Sequence, residues 1–149
     1  MRILSDADLV TYHEGCLLVA KPDAKSEWVI GIGHDIPAPA DPTNPPTCTQ
    51  EEADAWFSED MALARQRAAT DAGEAWATLD PVRQAALVDM AFELGGAGLA
   101  GFEDMLVAVE ASDWSEAKHQ ALNSKWARQV PTRAAMDATM ILTGTWPQV

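Results

Sequence analysis

Glu14-Gly15-Cys16-Leu17-Leu18-Val19-Ala20-Lys21-Pro22-Asp23-Ala24-Lys25-Ser26-Glu27-Trp28-Val29-Ile30-Gly31-Ile32-Gly33-His34 is the stretch that decides the fold. Gly15 ends whatever helix precedes it, because glycine tolerates the left-handed conformation a helix C-terminus calls for. Cys16 to Ala20 then reads as a short apolar strand, Lys21-Pro22-Asp23-Ala24 as a turn, and Glu27 to Ile32 as a second strand rich in β-branched and aromatic residues. Two such runs across one turn predict a small antiparallel hairpin or sheet. Gly31 and Gly33 sit where backbone must bend or approach something closely.

On the N-terminal side, Ser5 with Asp8 makes a capping-box-like start for a short helix through Leu9 and Val10, which puts Glu14 at its end. On the C-terminal side, Pro37, Pro39, Pro42, Pro45 and Pro46 crowd Asp35 to Thr47, a composition that predicts an extended surface loop with no ladder. Thr49 and Glu52 form a capping box for a long helix carrying Trp56, Phe57, Met61 and Ala64 to about Ala72. Asp80-Pro81 starts an almost wholly apolar helix that runs to Gly95-Gly96, the expected centre of the larger part of the molecule. Further helices are expected at about 101–111, 113–123 (capped by Asp113 and Glu116) and 131–142. Strands gathered at one end of a helical chain make an α+β, predominantly helical architecture, with a cleft between the parts as the natural place for a site.

The 149 residues, 48% of them hydrophobic, suffice for one domain with its own core. No apolar run reaches the length of a signal peptide or a membrane span, so cytoplasmic residence and no membrane insertion are expected. Cys16 and Cys48 lack metal spacing and His13, His34 and His119 are scattered, so neither a metal nor another cofactor is expected, and the thiols are read as buried or idle. A net charge of −13 argues against nucleic acid as partner, because binding phosphate relies on Lys and Arg.

Cleaving a glycosidic bond needs an acid to protonate the leaving oxygen and a second carboxylate that activates water or attacks the sugar. Glu14 at a helix end and Asp23 on a solvated turn offer two such carboxylates in different surroundings, although in a chain with 23 acidic residues the spacing alone singles out no pair.

The wider pattern does. Glu14-Gly15, Asp23 and Trp28 to His34 resemble the catalytic strip of the bacteriophage-type lysozymes, in which Glu-Gly leads to Asp and on to Thr-Ile-Gly-Ile-Gly-His. Further islands follow in family order: Thr49-Gln50-Glu51-Glu52, Trp56-Phe57, Asp60, Leu79-Asp80, Met90-Ala91-Phe92, Gly98 to Phe102, Ser124-Lys125-Trp126, Pro131-Thr132-Arg133-Ala134 and Thr143-Gly144-Thr145-Trp146. The resemblance implies a two-lobed fold, with a small β-containing lobe over about 14–60 and a helical lobe over about 70–149 together with the N-terminal helix. It also implies hydrolysis of the β-1,4 bond between N-acetylmuramic acid and N-acetylglucosamine in peptidoglycan. Glu14 is then the general acid and Asp23 the water-positioning carboxylate. Arg133 pairs with Glu14, Phe92 contacts glycan, Gly33 lets backbone approach the sugar, Trp28 beside the hairpin lies near substrate, and His34 with Asp60 forms a structural ion pair. Trp56, Trp126 and Trp146 are read as core. A monomer is expected, reaching the wall from the host cytoplasm, with a holin pore as partner. Room for a water between the two carboxyls, roughly 6.5 to 9.5 Å, predicts inversion.

Some positions depart from the family pattern. Val29 stands where the family carries a threonine whose hydroxyl helps hold the attacking water. Asp35, Met105 and Gln120 replace leucine, serine and asparagine around the cleft, and Glu93 replaces a glutamine. An alternative reading is therefore a lysozyme-fold module with weak or lost catalysis, acting in peptidoglycan or protein binding.

Overall fold

The structure is a computed structural model describing residues 1–149. Helix α1 spans Asp6–Glu14, where Ser5 Oγ accepts the Asp8 N–H and Gly15, at φ +63°, closes the far end by donating to Thr11 O. Strands β1 (Leu17–Pro22), β2 (Trp28–Gly31) and β3 (His34–Asp35) form one antiparallel sheet in the order β1-β2-β3. Lys21 lies opposite Val29, and Ile30 opposite His34. The proline loop is not wholly free of ladder. Val19 and Thr47 make an isolated antiparallel bridge, flanked by Ala20 N–H donating to Pro46 O and Cys48 N–H to Leu18 O, both 2.9 Å. The prolines here lend only carbonyls, and the donors come from their non-proline neighbours. Cys16 and Cys48 are free, but Cys16 is exposed rather than buried because it follows directly on the helix cap.

Helix α2 (Gln50–Ala72) begins at the complete Thr49/Glu52 capping box and runs from the sheet to the larger lobe. After a 3-10 stretch at Gly73–Thr78 come α3 (Pro81–Leu94), α4 (Glu103–Glu110), α5 (Trp114–Leu122), α6 (Lys125–Gln129) and α7 (Pro131–Thr143). The short α6, capped by Ser124, was not legible as a separate element, and α4 starts two residues later than its apolar pattern predicts because Leu99–Gly101 forms a 3-10 turn first. Arg83 ties the end of α7 to α3. Its guanidinium donates to Ile141 O (2.7 Å) and Leu142 O (3.1 Å) and lies 3.9 Å over the Trp114 ring.

Burial divides the molecule in two. Twenty-five buried residues form one continuous core from Ile3, Leu9 and Val10 through α3 to Ile141, whereas Ala20, Val29, Ile30, Ile32 and Ala53 are buried outside it, under the sheet. Helix α1 thus packs with the helical lobe while the sheet keeps a small core of its own, the two-lobed lysozyme-like arrangement the resemblance implied.

Candidate active site

The carboxyl of Glu14 is built from three separate elements. Helix α1 delivers it at its last residue, α7 brings Arg133, and the β2–β3 turn brings Gly33. Arg133 Nη1 donates to Glu14 Oε1 at 2.5 Å, a charge-assisted contact with the arginine side chain 9% exposed and the glutamate 19%. Gly33 has φ +66°, and a Cβ built there would lie 2.4 Å from Glu14 Oε2, so a side chain at this position would push the carboxyl from its place.

Asp23 is held differently. Its Oδ1 accepts the backbone N–H groups of Lys25 (2.8 Å) and Glu27 (2.9 Å), which tightens the β1–β2 turn around it. Lys25 reaches from that turn to Glu93 on α3, with Nζ 3.2 Å from Oε1, and so links the two lobes at the cleft. Burial alone would lower the Lys25 ammonium, but Glu93, Glu27 and Asp23 outweigh it and its pKa is raised. Asp35 belongs to the same acidic mouth. Partial desolvation first, then Glu27 and Asp23, raise its carboxyl above the ordinary range.

Gly33, His34, Asp35, Asp60 and Phe92 line one cavity of about 290 Å³, and Phe92 meets Phe57 edge-on with ring centroids 6.0 Å apart. His34 Nδ1 lies 2.7 Å from Asp60 Oδ2, joining sheet to α2, and its ring stacks on Trp56 at 4.8 Å. That stacking gives Trp56, read from sequence simply as core, a specific partner. Trp28 is half-buried on β2 opposite Pro22 and, like Glu14, Asp23 and Arg133, is not part of this cavity's lining. Val29 is buried on β2. Met105 is wholly in the core, and Gln120 bonds Glu116 on its own helix at 2.7 Å.

The phage lysozyme family matches residues 11–136. The chain belongs to that family. It is a lysozyme-type muramidase, a glycoside hydrolase whose substrate is peptidoglycan. Among its relatives are probable T4-type lysozymes 1 and 2 of Dictyostelium discoideum, 27% and 26% identical and covering 96% and 93% of this chain and 96% and 94% of theirs. A third is the pre-baseplate central spike protein Gp5 of Enterobacteria phage T4. It is 32% identical over 95% of this chain, which spans only 28% of that protein. No helix of this lysozyme is long and apolar enough to cross a membrane.

The sequence reading missed what stands behind Arg133. Asp89 on α3 and Asp137 on α7 are both wholly buried. The signal was available, since an aspartate interrupts the apolar helix Val82 to Ala91, and Asp137 lies four residues, one turn, beyond Arg133.

Proposed function

We propose that this lysozyme cleaves the β-1,4 bond between N-acetylmuramic acid and N-acetylglucosamine, with Glu14 as general acid and Asp23 as the carboxylate that positions water. The observation that carries the reading is the convergence of α1, α7 and the β2–β3 turn on the Glu14 carboxyl, its Oε1 held by Arg133 and Gly33 left without a side chain so that it fits. Asp23 has one oxygen saturated by backbone donors, and Oδ2 is left to bind water. A water between the carboxyls makes the reaction inverting. Phe92 contacts glycan, Trp28 lies near substrate, Val29 stands where a hydroxyl would help hold the attacking water, and His34 with Asp60 braces the sheet on α2. The enzyme acts as a monomer, and a holin-type pore gives it access to the wall from the host cytoplasm.

The test is digestion of purified peptidoglycan by the wild-type chain and by Glu14→Gln, followed by mass spectrometry of the fragments and NMR of the fresh reducing ends. Fragments ending in reducing N-acetylmuramic acid, born as the α-anomer and absent with Glu14→Gln, are expected. Reducing N-acetylglucosamine ends would put the cleavage at the wrong bond, and β-anomers would remove the inverting mechanism.

A second reading, a module with weak or lost catalysis, is favoured by Val29, whose methyls cannot hold a water. Wall binding by a folded wild-type chain that releases no fragments is its expected signature.

A further inference from the structure

Arg133 has three carboxylates around it and only one positive charge. Asp89 takes two of its donors as a fork, Nε to Oδ2 at 2.8 Å and Nη2 to Oδ1 at 2.7 Å, leaving Nη1 for Glu14. Asp89 is 0% exposed. Asp137, also 0% exposed, has no donor on either oxygen, and His13 Nε2, on α1 next to Glu14, is likewise buried without a partner. One polar atom from each of His13, Asp89 and Asp137 lies within 4.8 Å of the others. Those three could hold a divalent cation only by displacing the guanidinium that already uses both Asp89 oxygens, so Arg133 is the resident cation.

A planar fork fixed at two points has no freedom to turn, which makes Asp89 the part that decides where Nη1 points. It also shares the guanidinium charge, which would otherwise fall wholly on the Glu14 carboxyl. We propose that Asp89, backed by Asp137 and His13, is the positioning residue that aims Arg133 at Glu14. The inference rests on the catalytic role proposed for Glu14.

The charges facing the cluster agree with that division of labour. Asp137 meets Asp89 and Glu93 from α3, Arg133 from its own helix and His13 from α1. Burial first, then Asp89, push its carboxyl well above the usual range, so it carries a proton, with Asp89 and His13 offering acceptor atoms within 4.8 Å. Burial would raise Asp89 too, but Arg133 outweighs it and keeps Asp89 ionised. Burial lowers His13, which stays neutral and has an acceptor to offer. The cluster therefore holds one anion, one proton and one cation behind the Glu14 contact.

The experiment compares wild type, Asp89→Asn and Asp137→Val by two readouts. The first is the NMR of the Arg133 side-chain N–H groups, which needs no activity: separate, slowly exchanging signals are expected in wild type and collapsed ones in Asp89→Asn. The second is the pH profile of kcat and KM on peptidoglycan fragments. Asp89→Asn is expected to lower kcat at least about tenfold with KM little changed, and to move the alkaline limb down by about one pH unit as unshared positive charge falls on Glu14. Asp137→Val removes only the proton behind Asp89, leaves Arg133 and Asp89 in place, and is expected to shift both readouts the same way by less. It decides the matter should Asp89→Asn fail to fold. Locked Arg133 signals in the folded variants, or a lowered rate on a profile of unchanged shape, would overturn the proposal. A wild type with locked Arg133 and no cleavage at all would instead sink the catalytic reading.

Discussion

Glu14 and Asp23 are the same functional group held by opposite means. Asp23 is held by its own turn, through backbone donors two and four residues away, whereas Glu14 is held by Arg133, 119 residues distant, and by the absence of a side chain on Gly33. A locally held carboxylate survives most changes elsewhere in the chain. A carboxylate held by tertiary structure answers to everything that moves α7 or the sheet. The contrast assigns different sensitivities to the two groups, and substitutions at each site test it.

The largest effect is expected at Glu14. Glu14→Gln keeps the shape and an acceptor for Arg133 but has no acidic proton to give, so fragment release should fall by about 10²- to 10⁴-fold with the thermal transition little changed. Asp23→Asn keeps an oxygen for the Lys25 and Glu27 N–H groups, so the turn should persist. Its loss, roughly tenfold or more, measures the charge alone. Equal losses, or unfolding of Asp23→Asn, would erase the distinction between the two sites.

The same contrast explains what was legible in the sequence. Local devices were readable: the caps at Ser5, Thr49, Asp80 and Asp113, the glycine ending α1 and the hairpin turn at Asp23 each depend on neighbours a few residues away. The fork of Asp89 on Arg133, the Lys25–Glu93 link and the His34–Trp56 stack join residues far apart in the chain, and no periodicity announces them. The pairs of Arg133 with Glu14 and His34 with Asp60 entered through resemblance, not through any local rule. Asp137 lies one turn beyond Arg133 on the same face of α7, but no local rule says that both are buried against α3.

Val29→Thr sharpens the comparison from the Asp23 side. Threonine has nearly the shape of valine and fits β2, and a hydroxyl there gives the attacking water one more partner. One hydrogen bond to a reacting water, about 1 to 3 kcal/mol, corresponds to a gain of about fivefold to a hundredfold in initial rate. A rate unchanged within twofold, in a folded variant, would place the water elsewhere.

Asp137→Asn tests the Glu14 side through stability against pH. The folded Asp137 carboxyl holds its proton well above the ordinary value of 3.8, so its contribution is complete below about that pH and is lost as pH rises and the unfolded chain, but not the folded one, releases the proton. His13, lowered from 6.5, adds the opposite slope as pH falls, but equally in wild type and variant, and so cancels in the difference. Asparagine has no such proton to lose. The variant should match the wild type in thermal midpoint near about pH 3 and exceed it near about pH 7. A difference independent of pH would mean that Asp137 does not hold the proton.

The smallest effect belongs to Lys25, whose ion pair with Glu93 is the exposed counterpart of the Arg133 fork. Lys25 is 27% exposed, so water and salt screen it, while Glu93 at 9% is the more enclosed partner. Lys25→Gln should cost no more than about 1 kcal/mol, and about 1 M salt should remove most of the difference from wild type. The buried fork of Asp89 on Arg133 is shielded from those ions, so the penalty of Asp89→Asn should persist at the same salt concentration. Were both penalties to fade together, the Arg133 cluster would be wet, and the idea that Glu14 is aimed by a dry, fixed guanidinium would fail with it.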